Sequence, residues 1–287
     1  MQSSRISETD FILREDGSAF HIGLKPNQIP PLIITVGDPE RVGEVSKNFN
    51  RIDFKISRRE FVSHLGSINS KDVLVISTGI GADNVEIVLT ELDGLVNIDF
   101  KTRLPKTTLQ KLSIIRIGTS GALQPDIEVG SFIASSTAIG LDNLLSFYAF
   151  PQSDEETSIT REIKATIGLL NQLYMASASP SLLKKFTSDF IEGNTLTCPG
   201  FYAPQGRAIR MPVINPNLLE NLISFRKGSF NLHNFEMETA AYYAFARMMQ
   251  HEVLSLNAIL ANRALKKFAQ NPNAIVNNLI SEVLERI

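Results

Sequence analysis

Cysteine is nearly absent: Cys198 is the only one among 287 residues. No internal disulfide can form, and the first residues, MQSSRISETD, carry no apolar signal core, so a reducing cytoplasm is the expected setting. Histidine is scarce too. His21, His64, His233 and His251 each stand apart from any cysteine or second histidine, so metal-ligand spacing is missing and no metal is expected. The formal net charge is -2 and Lys and Arg are scattered singly, which excludes the electrostatic footprint of a nucleic-acid binder. The apolar runs fall far short of a bilayer's thickness, so no membrane partner is expected. A serine-nucleophile elbow, a Walker loop and a G-x-G-x-x-G turn after a strand are also lacking, and covalent catalysis and dinucleotide binding lose support.

What the chain does have is 43% hydrophobic residues, enough for one large core and a single domain spanning residues 1–287. Apolar, β-branched runs at Leu32–Val36, Val73–Ser77, Leu112–Ile117, Ser131–Thr137 and Val253–Ile259 alternate with helical periodicity at Asn84–Val96 and Phe235–Gln250. That alternation predicts an α/β fold with a central sheet flanked by helices. Residues 1–18 read as an N-terminal extension, residues 98–108 as a surface insertion and Pro151–Ser158 as a mobile polar loop. The apolar spacing over Pro272–Ile287 suits a docking terminal helix.

Three of the runs end in glycine turns, around Gly37-Asp38-Pro39, Gly79-Ile80-Gly81 and Gly118-Thr119-Ser120-Gly121. Ligands of open α/β sheets bind beyond the carboxyl ends of strands, so the three turns point to one composite pocket. Arg116 lies inside the apolar run that ends at the third turn, and a desolvated guanidinium there needs an anion. No acid lies nearby in the run, so phosphate held by the turn is the economical partner; a structural ion pair with a distant Asp or Glu is the alternative. Asp38 as N-cap and Pro39 as first helical residue let the helix start and Arg41 face the same anion, although Arg41 taken singly is a solvated helix charge.

Downstream, Phe201-Tyr202-Ala203-Pro204-Gln205-Gly206-Arg207 combines aromatics with a donor-acceptor amide and a donor-only guanidinium. The set fits a uracil edge; an exposed polar turn is the plainer reading. Glu236 and Glu238, in Asn234-Phe235-Glu236-Met237-Glu238-Thr239, cannot share a helix face, so they serve different directions and one can bind a sugar diol. Either could equally be a helix-dipole partner.

Taken in order, the motifs GDPERV, SRREF, STGIGA, RIGTSGALQP, FYAPQGR, NFEMET and ANR resemble the nucleoside phosphorylase family, from about Phe20 to about Arg263. The resemblance implies a single-domain, three-layer α/β/α fold whose central mixed sheet curls into a distorted barrel. It also implies a homo-oligomer, either a dimer or a ring of three dimers, with the site at a subunit interface. Its phosphate residues map onto Gly37, Arg41, Arg116, Thr119 and, from a neighbouring subunit, Arg59. For ribose it implies Met237 and Glu238, with Glu236 shaping the site and His21 reaching across from the adjacent subunit; the residues alone would make His21 structural. For the base it implies stacking by Phe201 and hydrogen bonds from Gln205 and Arg207, with Arg263 behind them. Arg116, Arg207, Gln205 and Arg263 form the implied catalytic set. The implied small-molecule partners are a nucleoside and inorganic phosphate, the latter a co-substrate, with no cofactor. Purine-cleaving relatives carry an aspartate near the position of Asn262, and its absence speaks for a pyrimidine. A purine phosphorylase, a hydrolytic nucleosidase and a catalytically idle nucleoside-binding paralogue are the competing readings. The Ala203-Pro204 order and the stretch Ala82-Asp83-Asn84 depart from the family pattern, and the interface cation of some relatives is not carried over.

Overall fold

The run Leu32–Val36 forms strand β1 (Leu32–Val36) in a computed structural model of the chain, which describes residues 5–186 and 188–287. Residues 1–4 of the expected N-terminal extension lie outside the described residues. After β1 come helix α1 (Pro39–Ser46) and the meander β2 (Arg51–Arg58), β3 (Phe61–Ile68) and β4 (Lys71–Ser77). Helix α2 (Ala82–Asn97) leads through the short strands β5 (Ile98–Asp99) and β6 (Leu104–Pro105) to β7 (Ser113–Ala122) and β8 (Phe132–Gly140). Next are α3 (Asp154–Ile167), β9 (Tyr174–Ser177), α4 (Pro180–Leu183) and β10 (Ile191–Thr197). Helix α5 (Leu218–Ser224), the hairpin β11 (Arg226–Lys227) and β12 (Phe230–Asn231), then β13 (Asn234–Glu236) and α6 (Thr239–Met249) follow. The last elements are β14 (Glu252–Asn262), β15 (Lys267–Phe268) and α7 (Pro272–Glu285).

Strand pairing closes a barrel. β7 runs parallel to β14, β14 antiparallel to β8, β8 parallel to β10, β10 parallel to β13, and β13 antiparallel back to β7. From β7 the sheet continues outward as β1, β4, β3 and β2, parallel as far as β4 and antiparallel after it. Helix α1 packs near α7 and α2 against α6, so helices cover the sheet in two groups. The mixed, barrel-like α/β fold expected from the resemblance is the one observed. β1, β4 and β7 are buried along nearly their whole length, as the unbroken apolar runs require of strands covered on both faces. Tyr242, Tyr243 and Phe245 of α6 are among the largest fully buried side chains, and each such side chain contributes on the order of 1.5–3 kcal/mol.

Three local expectations need correction. β7 does not end at a turn after Ile117 but stays paired with β14 through Ala122, because the glycines, having no side chain, leave the strand room to continue beside bulky neighbours. Phe235 and Glu236 belong to β13, held between β10 and β7, and the helix starts only at Thr239. Most of Pro151–Ser158 is helical: Ser153 and Glu156 form a reciprocal capping box that starts α3 at Asp154. Around residues 98–108, β5 and β6 pair, and the buried Arg103 donates to the carbonyls of Ile6, Ser7 and Phe11. That grip holds Phe11 against α2, where a Cβ on Gly94 would lie 2.1 Å from the Phe11 ring. Gly94→Ala is therefore expected to destabilise the fold by about 1–3 kcal/mol through overpacking, read from the urea midpoint; an unchanged midpoint would refute this contact.

Candidate active site

All three glycine segments meet at one cavity of about 950 Å³. Gly37 and Arg41 arrive from the β1–α1 junction, Gly79 and Ile80 from the β4–α2 junction, and Arg116 with Gly118–Gly121 from β7. The β1–α1 junction is built as its sequence dictates: Asp38 caps α1, its carboxylate accepting from the Glu40 N–H at 2.9 Å, with Pro39 next. Arg41 lies along the cavity wall, where its Nη1 donates to the Ile117 carbonyl at 3.4 Å. Burial pushes its guanidinium below the ordinary value and the nearby Arg116 adds to that, while Asp38 and Glu238 oppose it.

Arg116 sits mid-strand, only 4% exposed. Its Nη2 donates to Glu238 at 2.5 Å and lies 3.1 Å from Glu236, while Nη1 donates to Ser255 at 3.2 Å and Asn257 at 3.0 Å. Carboxylates some 120 positions away thus supply the buried counter-charge, the structural ion pair that the sequence leaves open as the alternative. Burial works against this charge, yet Glu236 and Glu238 outweigh it and hold the guanidinium above its usual value. The strand leaves room for the bend, since a Cβ on Gly118 would fall 2.0 Å from Nη1.

Both glutamates reach the same Arg116 nitrogen, and only their remaining contacts differ. Glu236 accepts the backbone N–H groups of Glu238 and Thr239, each at 3.0 Å, and the Thr197 hydroxyl at 2.7 Å, so it caps α6. Glu238 accepts from the Gly81 N–H at 2.8 Å and lines the cavity beside Met237. Burial raises the Glu238 carboxyl, with Glu236 adding to it and Arg116 opposing. Thr119 lines the same wall.

At the other end, Phe201, Gln205 and Arg207 share the lining with Phe235, Leu260 and Phe268. Arg207 donates to the Gln205 side-chain oxygen and to the Phe201 carbonyl, both at 2.6 Å, and its guanidinium lies 3.8 Å above the Phe201 ring. Burial and the neighbouring Arg263 push it down to about 10, so it keeps its charge at neutral pH. Arg263 stands behind the lining, donating to the Gln205 carbonyl at 3.2 Å over the Phe235 ring. Asn262 does not line the cavity; its amide donates to the Gln124 and Ile127 carbonyls, both at 2.8 Å, and pins the β7–β8 connection to the end of β14.

Besides Arg263, two more of the sequence-derived site residues stay off the cavity wall. His21 bonds Glu91 at 2.6 Å, and Arg59, in a left-handed conformation with φ 52°, lies 5.9 Å from the Phe20 ring; neither lines this chain's cavity. Sequence reasoning missed Ser255 and Asn257. They stand two apart in the apolar run Val253–Ile259, a spacing that puts both on one strand face, and that was the available signal. Among the described residues no group of three or more His, Cys, Asp or Glu could hold a metal, and no helix is long and apolar enough to cross a membrane.

A family model described as the phosphorylase superfamily matches residues 31–285. The chain belongs to this superfamily. It is 28% identical over 259 residues to a uridine phosphorylase of Thermococcus kodakarensis, covering 89% of this chain and 82% of that one. It is 27% identical over 248 residues to a uridine phosphorylase of Haemophilus influenzae, covering 85% and 86%. A nucleoside phosphorylase of Trypanosoma brucei, whose crystal structure is described as showing uridine phosphorylase activity, superposes with a TM-score of 0.89 at 26% identity over 96% and 99% of the two chains.

Glu236 holds a helix start and half of a buried charge pairing at once. Glu236→Ala is expected to cost about 3–5 kcal/mol of stability, measured by chemical denaturation, because it strips a partner from a buried guanidinium; a loss below 1 kcal/mol would contradict that role.

Proposed function

We propose that this chain is a uridine phosphorylase, catalysing reversible phosphorolysis of uridine to uracil and ribose 1-phosphate. The observation that carries the reading is the composition of one cavity: the Arg41, Arg116 and Glu238 cluster and the Gln205–Arg207 pair line it together, with Met237. The names of the relatives at 27–28% identity support the same choice. The lining drawn from residues 201–207 and 260–268 contains no carboxylate, which suits a base needing no protonation at its ring nitrogen.

In this reading Gly37, Arg41, Arg116 and Thr119 bind phosphate, a co-substrate, and no cofactor is needed. Phosphate approaches the ribose anomeric carbon as the glycosidic bond opens toward an oxocarbenium-like centre. Positioning and charge complementarity supply the rate, since no protein nucleophile is in place. Glu238 and Met237 hold the ribose, and Glu236 keeps Glu238 in place by anchoring the α6 start. The uracil leaves with negative charge spreading over its carbonyl oxygens, and Gln205 and Arg207 donate where that charge grows. Arg207, already tied to Gln205, is pre-organised for this, and Arg263 steadies the pair from behind. Phe201 packs against the base and Arg207 together. Arg59 and His21 serve the phosphate and ribose sites of an adjacent copy, so the reading includes a cytoplasmic homo-oligomer, a dimer at least.

Uracil release from uridine should depend strictly on phosphate. Release without phosphate would mean hydrolysis, activity confined to a purine nucleoside would mean the purine enzyme, and no release from any nucleoside would mean a binding protein. Arg207→Ala is expected to lower turnover of uridine by about 10²–10³-fold, as for loss of one oxyanion donor; unchanged steady-state turnover would contradict its role. The raised Glu238 carboxyl gives a third expectation. As pH falls through its folded value, above the ordinary carboxylate range, Glu238 takes up a proton and loses its hold on ribose, so kcat/KM for uridine drops on an acid limb. Glu238→Gln should abolish that limb, and a profile that keeps it would assign it to another group.

A further inference from the structure

The inside of the five-stranded barrel is polar along one level. Arg116 Nη1 on β7 donates to Asn257 Oδ1 on β14 at 3.0 Å, and Asn257 Nδ2 donates to Ser135 Oγ on β8 at 3.1 Å. Ser135 and Thr195 of β10 share a hydroxyl contact of 2.6 Å, and Thr195 donates to Asn234 Oδ1 of β13 at 2.8 Å. Asn234 Nδ2 then donates to Ser120 Oγ, back on β7, at 2.8 Å. Because the Thr195 proton is committed to Asn234, Ser135 must donate to Thr195, and every link runs in one direction away from the guanidinium. The chain visits each of the barrel's strands once and returns to the strand where it began. Ser135, Thr195, Asn234 and Asn257 are wholly buried, while Arg116 and Ser120, its two ends, line the cavity.

A closed polar circuit inside a barrel is costly unless every member is satisfied, and this one is satisfied at each of the links above. Apolar side chains would fill the same space without that demand. What the circuit supplies and apolar packing cannot is a directed acceptor for Nη1. Asn257 is the register partner of Gly118, the residue whose missing side chain gives the guanidinium its room. Like the Ser255 hydroxyl that shares Nη1, the Asn257 amide is neutral, so it aims Arg116 without cancelling its charge, unlike the carboxylates on Nη2.

We infer that Asn257 is a positioning residue for phosphate, acting through Arg116, and that the hydrogen-bonded circuit behind it through Ser135 holds it in aim. The inference rests on the phosphorolysis reading and assigns a role to a residue that does not line the cavity. The experiment is bisubstrate steady-state kinetics on the full chain, with uridine and inorganic phosphate varied separately. Asn257→Leu, close in volume, is expected to raise the KM for phosphate about tenfold, the scale of one lost hydrogen bond to a charged group, and to leave the KM for uridine within about twofold. Should that variant fail to fold, Ser135→Ala removes only the support behind Asn257 and is expected to raise the phosphate KM about threefold with the same indifference to uridine. A role confined to packing would lower the melting temperature and move both KM values alike or neither, and either pattern overturns the inference. If the unaltered chain cleaves uridine without saturating in phosphate, the phosphorolysis reading falls and the inference with it. Saturation in the unaltered chain with an unshifted phosphate KM in both variants overturns the inference alone.

Discussion

The site depends on keeping a charged guanidinium in the middle of a buried strand. Nothing in the local run neutralises Arg116, and the fold answers by bringing β13 and the start of α6 across to it. The cost of desolvating that cation is met by Glu238 and Glu236 on one nitrogen and by neutral acceptors on the other. Glu236 also caps the helix that delivers Glu238, so the two carboxylates are not independent. Disturbing the cap moves the cavity-lining Glu238; disturbing the cation leaves two carboxylates close together without their shared counter-charge.

How much of this was legible in the residues follows from which way each strand faces. β1, β4 and β14 announce themselves as apolar runs because covered strands are apolar on both faces. β10, Ile-Glu-Gly-Asn-Thr-Leu-Thr, does not, because residues such as Thr195 and Thr197 point into the polar barrel interior and break any run. β2 is mostly exposed or half-buried and carries charge throughout, as an edge strand does, and periodicity alone gave it no weight. The Ser153–Glu156 box that starts α3 was visible but read as loop polarity.

The site was legible in a similar, partial way. The glycine segments marked the cavity correctly, two as junctions at strand ends and the third inside β7, since the space a glycine frees is a local property. The identity of Arg116's counter-charge was not local. It lies over a hundred residues downstream, where spacing rules have no reach, and a carboxylate at a helix start looks the same whether it caps or pairs. His21 and Arg59 carry no signal in their own surroundings; only the family resemblance singled them out, and the single chain leaves them off the cavity wall.

Helix α2 joins these two regions. The Gly81 N–H just before its first turn holds Glu238, and Glu91, well along the same helix, grips the backbone of His21 and Ile22 as well as the imidazole. Ten residues of α-helix span about 15 Å, and a regular helix resists both stretching and bending over that length. The helix therefore serves as a ruler between the cavity-lining carboxylate and the outer histidine. Any drift at one end is handed to the other as rigid-body motion, and neither can be re-aimed by evolution without resetting the whole rod.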